Sequence, residues 1–317
     1  MSDQQPDGPQ WERGVLEKVA LAAIQEQRRS RQWGMFFKMM VLLYLFVLLF
    51  IGMGWYGKTD ATQGSHTALV DISGVIAPGG PASADKIMAG MQAAFKDKNT
   101  RGVVLRINSP GGSPVQAGYI YDEIKRLRAK YPDIPLYAVV EDICASGGYY
   151  IAAAADKIYV DKASIIGSIG VLMDGFGFTG TMEKLGVERR LLAAGKNKGF
   201  LDPFSPIQDP QKAHAETMLD DIHQQFISVV RQGRGKRLKE TPDMFSGLLW
   251  VGKKSIDLGL ADALGSLDYV AREVIKAEDI VDYTQQENIA ERFARRFGAA
   301  SAETLLKFSG LGGFNIR

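Results

Sequence analysis

The sequence predicts an α/β protein, a layered core of repeated βα units preceded by one N-terminal transmembrane helix. Three observations carry that reading. Residues 36–56, "FFKMMVLLYLFVLLFIGMGWY", form an apolar run with a single charge, Lys38. Beyond residue 66, short apolar runs suited to strands alternate with stretches of helical periodicity, the pattern of a parallel sheet covered by helices. And glycine-rich turns, "SPGGSP" and "ASGG", follow such runs, at the strand ends where open α/β sheets place their ligands.

Taken in order, residues 1–35 are polar, with a weak amphipathic helical signal at Val15, Leu16, Val19 and Ile24. The run 36–56 matches the roughly 20 residues needed to cross a bilayer, and Trp33, Trp55 and Tyr56 stand at its ends. Arg28, Arg29, Arg31 and Lys38 crowd its N-terminal side, against Lys58 and Asp60 on the other, so the positive-inside rule predicts a cytoplasmic N-terminus and a domain on the far side. A long polar leader with no small-x-small site after the apolar run argues for an uncleaved signal anchor. Residues 57–65, "GKTDATQGS", read as a linker. The predicted strands are "HTALVDISGVI", "GVVLRI", "PLYAVV" and "KIYV"; the predicted helices are Ala84 to Phe95, Val115 to Tyr131 and Pro210 to Arg231. The folded domain is placed at 66–280. Residues 281–317 are expected to be a helical tail, with Ile289, Phe293 and Phe297 beside Arg292, Arg295 and Arg296, suited to a neighbouring subunit or a membrane surface.

Composition narrows the function classes. An apolar content of 46% over 317 residues supports a sizeable core. With 38 basic against 36 acidic side chains, no nucleic-acid surface is expected. Cys144 is the only cysteine, so neither an internal disulfide nor a thiolate metal site can form, and no cofactor or metal is called for.

The stretch "DICASGGYY" offers two nucleophiles, Cys144 and Ser146. No basic residue lies near Cys144 to stabilise a thiolate, so a buried inert thiol is expected there. Ser146 is placed at a helix N-terminus, where backbone N–H groups are free to hold negative charge. The Gly111–Gly112 turn offers further amides, so the pair of turns reads as a nucleophile facing an oxyanion hole. His66 opens a strand, while His214 and His223 fall inside a long helix, with no carboxylate spaced for a triad. A desolvated lysine is the alternative base; "LAAGKNKGF" offers Lys196 and Lys198, and the residues alone leave that choice open.

The runs "RINSPGGS", "CASGGYYIAAAADKIYV", "IIGSIGVLM", "GKNKGFLDPFSP" and "GLLWVGKKSIDLGLADALG", in that order, resemble the signal peptide peptidase A family of membrane-anchored serine proteases, which share the Clp protease and crotonase fold. The resemblance covers roughly residues 66–275 and is closest to the short, undivided form. It implies a Ser/Lys dyad with Ser146 as nucleophile and Lys198 as base, oxyanion donors at Gly111, Gly112 and Gly147, and Ser168 orienting the lysine. Asn197 stands where members often carry an aromatic residue. The resemblance further implies apolar peptide substrates, such as remnant signal peptides or misfolded membrane-protein segments, at the bacterial inner membrane with the protease domain in the periplasm. In the duplicated form of the family the serine and lysine lie in different halves, which implies a homo-oligomeric ring for an undivided chain. Its rivals are a Ser/Lys membrane protease dedicated to a stomatin-like partner and an inactive crotonase-like scaffold.

Overall fold

The structure, a computed structural model, describes residues 8–52 and 64–285. The distal end of the apolar run, Trp55 and Tyr56 included, lies outside the described residues, as do most of the linker and the tail with Ile289, Phe293 and Phe297. The chain divides into two units, each taken by itself.

Among the described residues the first unit contains one helix, α1 (Gly8–Gly52). The weakly amphipathic 15–24 stretch and the apolar run are thus one continuous helix rather than separate pieces. Its stretch Arg13–Phe50 has a mean hydropathy of 2.1 at its most apolar and is long and apolar enough to cross a membrane.

The second unit is the α/β domain. Its strands are β1 (His66–Ser73), β2 (Thr100–Ser109), β3 (Leu136–Ala145), β4 (Lys157–Val160), β5 (Ile165–Gly167), β6 (Leu249–Val251), β7 (Ala263–Leu264) and β8 (Ile280–Asp282). Among the described residues they form one sheet in the order β6-β5-β3-β2-β1-β8, with β4 pairing β3 and β7 pairing β4. All pairs are parallel except β5 with β6. The helices are α2 (Ala84–Lys96), α3 (Pro114–Lys130), α4 (Gly147–Ala152), α5 (Thr179–Leu185), α6 (Asp209–Arg234) and α7 (Gly252–Asp257), with a short helical stretch from Leu267 to Ile275.

The central strands β1, β2 and the first half of β3 are largely buried, which is why each carries a stretch of consecutive apolar residues. In β2, Val103, Leu105 and Ile107 point into the main core with Ile87 and Met91 of α2 and Ile120 and Ile124 of α3. Val104 turns to a second cluster with Val139, Tyr159 and Val270 on the opposite face. This period-2 alternation fixes which face each strand end presents.

β3 runs further than "PLYAVV" predicts, through Glu141, Asp142 and Cys144 to Ala145. Its register with β2 shifts between Ile107 and Ser109, and the strand changes partner, pairing β4 at Tyr137 to Val139 and β5 at Ile143 to Ala145. That extension delivers the chain to Ser146.

Candidate functional site

The site lies where β2 and β3 end side by side. After β2, Ser109 Oγ donates to Gly74 O at 2.6 Å and accepts the Gly111 amide at 3.1 Å, which folds the "SPGG" turn back on itself. Ser113 then caps α3 by accepting from Gln116 N, with Pro114 as first helical residue, a placement that suits proline because its missing N–H is not needed there.

After β3, Ser146 has φ 50° and ψ −122°. A residue with a Cβ is strained in that region, at a cost of order 1–3 kcal/mol. The turn lifts Ser146 out of the strand while its own amide stays bonded to Gly167 O at 2.9 Å, and α4 starts at the next residue.

These turns touch through backbone, and glycine is what permits it. A Cβ on Gly111 (φ 101°) would lie 2.7 Å from Gly147 N and from Ser146 Cβ; one on Gly112 (φ 149°) would lie 2.1 Å from Ile76 O. Among the described residues the amides of Gly112 and Gly147 have no acceptor, whereas the Gly111 amide is already taken by Ser109. Of the three expected oxyanion donors, two are therefore free, and Gly111 serves by its lack of a side chain.

Ser146, Gly112, Gly147 and Ser168 line a common cavity of about 860 Å³. Its walls are mostly apolar, with Val115 and Tyr119 of α3, Ile222 and Phe226 of α6, and Val171 and Leu172. Ser168 (φ 51°) follows β5 and its amide donates to Leu248 O.

Lys198 is not in this cavity. It is exposed in a turn closed by its own amide on Gly195 O, within a segment, 171–208, whose Leu172, Phe176, Leu192 and Ile207 are all exposed. Lys196 lies in the same turn, equally exposed. Within one chain the structure thus gathers Ser146, Gly111, Gly112, Gly147 and Ser168 and leaves Lys198 out.

None of the histidines lines the cavity. His66 is buried against Tyr283 Oη at 3.0 Å, His214 stacks edgewise on Phe200, and His223 contacts Ile169 O. Cys144 is fully buried, and burial pushes its thiol up, away from the reactive thiolate. Sequence reasoning missed Ser109, whose hydroxyl organises the turn, and Asp122, the carboxylate at the cavity wall.

Comparison with known proteins points to one family. Residues 128–281 match the family described as peptidase family S49, and residues 75–166 match the Clp protease family. A putative protease of Synechocystis is 30% identical over 212 residues, covering 67% of this chain and 73% of that protein. A putative signal peptide peptidase of Enterococcus faecium is 29% identical over 247 residues, 73% of this chain and 71% of that protein. A Brucella melitensis protein named as a Na(+)/H(+) antiporter is 45% identical over 177 residues, 56% of this chain, yet the chain spans only 24% of its length.

Proposed function

The chain belongs to peptidase family S49, and from that premise we propose that it is a membrane-anchored serine endopeptidase with Ser146 as nucleophile and Lys198 as general base. The observation that carries the reading is Ser146 itself, held in a strained turn, opposite the glycine turn, in the wall of a mostly apolar cavity. Ser146 Oγ attacks the peptide carbonyl and its proton passes to the neutral Lys198 amine. The amides of Gly112 and Gly147 hold the oxyanion, the C–N bond breaks, and the lysine returns the proton to the leaving amine. Water then releases the acyl group by the same route.

Lys198 reaches Ser146 from a neighbouring copy. Supporting this, Lys198 stands on an exposed segment rich in exposed apolar side chains, and a site missing its base within one chain would be completed by docking that segment across an interface. Ser168 orients the lysine amine once it arrives. The substrates are apolar peptides such as signal peptide remnants, which suit the cavity walls. α1 is the anchor, its basic flank in the cytoplasm and the domain in the periplasm of a bacterial cell.

The test is labelling of the full chain in detergent with a serine-reactive fluorophosphonate. The wild type should label and Ser146→Ala should not. A wild type that stays unlabelled and cleaves no peptide would overturn the enzyme reading in favour of an inactive scaffold.

A further inference from the structure

The cavity that holds Ser146 extends along one stripe of α3, through Pro114, Val115, Gly118, Tyr119 and Asp122. These positions share a helix face, and from Pro114 to Asp122 the helix rises about 12 Å. The stripe is apolar or aromatic up to its last member, which is a carboxylate.

Asp122 has no hydrogen-bond or ion-pair partner among the described residues. Arg126, one turn further along α3, is committed to both carboxylate oxygens of Glu123 at 2.6 Å. The charge is nonetheless felt inside the cavity. Burial first, and then the neighbouring Asp122, hold the hydroxyls of Tyr121 and Tyr150 above their ordinary value, and Tyr150 lines the cavity.

A mostly apolar cavity wall that carries an exposed, unpaired carboxylate complements a side chain with an aliphatic stem and a cationic head. We propose that Asp122 is a specificity residue that makes the cavity prefer apolar peptides carrying a lysine or arginine at the position facing it. This rests on the reading of the cavity as the peptide site, and deepens it from apolar peptides to apolar peptides with one basic residue. A basic residue placed there gains a charge-assisted contact, whereas an acidic one meets like charge.

The experiment uses the full chain in detergent micelles carrying Ser146→Ala, so that binding is read without cleavage. Fluorescent apolar decapeptides hold either lysine or its uncharged isostere norleucine at each position in turn, and fluorescence anisotropy gives the affinities. At one position the lysine peptide should bind about tenfold more tightly. The gap should narrow near 1 M salt, where the Debye length is about 3 Å. Adding Asp122→Asn should remove the lysine preference, and Asp122→Lys should transfer it to a glutamate peptide. Equal affinities at every position, a preference that survives Asp122→Asn, or no binding of any peptide would each overturn the proposal. Failure of the nucleophile reading is seen separately, as fluorophosphonate labelling that is absent in the wild type or persists after Ser146→Ala.

Discussion

Ser146 and Ser168 each stand one residue beyond the last paired residues of adjacent parallel strands, Ala145 of β3 and Gly167 of β5, and each has a positive φ, 50° and 51°. The Ser146 amide donates to Gly167 O. The serines thus leave a common ladder end, both with φ in the left-handed range, directly after the short β5, Ile165–Gly167, and its β3 partner residues.

Strain at Ser146 separates two inactive variants. Ser146→Ala keeps a Cβ in the strained region, whereas Ser146→Gly relieves it. Both should abolish peptide cleavage, and Ser146→Gly should unfold at higher temperature, by about 1 kcal/mol in stability. Equal midpoints in thermal unfolding would mean that the turn is not strained.

Cys144 is two residues from the nucleophile but chemically remote. Its thiol is buried and pushed up by desolvation, so thiol reagents should modify it only as slowly as the domain opens. Cys144→Ala should still label with fluorophosphonate and cleave peptide, with a stability loss of about 1–2 kcal/mol from the small void left in the core. Activity lost in Cys144→Ala at unchanged folding would show that the sulfur takes part.

Gly112→Ala tests the oxyanion turn without touching a side chain. The added methyl would meet Ile76 O at 2.1 Å in a backbone conformation of φ 149°, so the turn must shift and carry the Gly112 amide with it. Loss of one such donor typically lowers turnover about 10²–10³-fold. Peptide cleavage should fall by that amount while KM changes little; a variant of near-normal kcat would remove Gly112 from the oxyanion site.

What the sequence disclosed follows from the length of each signal. β1, α2, β2, α3 and α6 span enough residues for their period to show, and they lie where periodicity places them. β5 to β8 are two or three residues long, too short to carry a period, so the antiparallel β5–β6 pair that packs Trp250 beside Gly167 had no readable signal. The end of β3 was hidden because exposed Glu141 and Asp142 interrupt its apolar run. Ser146 and its glycines were readable as local turn chemistry. The capture of the Gly111 amide by Ser109 was not, because hydrogen-bond direction is set by the folded turn. Asp122 looks like any helix-surface acid until α3 is seen to wall the Ser146 cavity.

A base supplied by a neighbouring copy predicts complementation. Ser146→Ala and Lys198→Ala should each be inactive, and so should Lys198→Arg, because a guanidinium does not give up its proton. Lys196→Ala should remain active. Co-expressed and co-assembled, Ser146→Ala and Lys198→Ala chains should regain part of the activity at interfaces that pair an intact serine with an intact lysine. Mixed assemblies that form yet stay inactive would place both residues in one chain.

The last prediction concerns the lock between the end of α6 and the sheet. Arg234 is 0% exposed at its side chain and donates to Asp262 Oδ2 at 2.8 Å and to Gly259 O at 2.8 Å. Asp262 also accepts from Ile158 N at 2.7 Å and from Arg237 at 3.1 Å, joining α6, β4 and the approach to β7. Burial alone would raise the Asp262 carboxyl, but the Arg234 bond and charge, the Ile158 amide and the Arg237 charge outweigh it and hold it below the ordinary carboxylate value. A carboxyl that is more acidic folded than unfolded stabilises the fold above its unfolded pKa, about 3.9, and that contribution is lost as pH falls through the folded value. Asp262→Asn removes it and leaves the buried guanidinium without a counter-charge, a loss of about 3–5 kcal/mol near neutral pH. Urea unfolding of wild type and Asp262→Asn should therefore differ most at pH of about 6–7, with the gap closing below pH of about 4. A gap that stays constant across that range would mean that the Asp262 charge does not stabilise the fold, and that Arg234 is held by its carbonyl contact and packing alone.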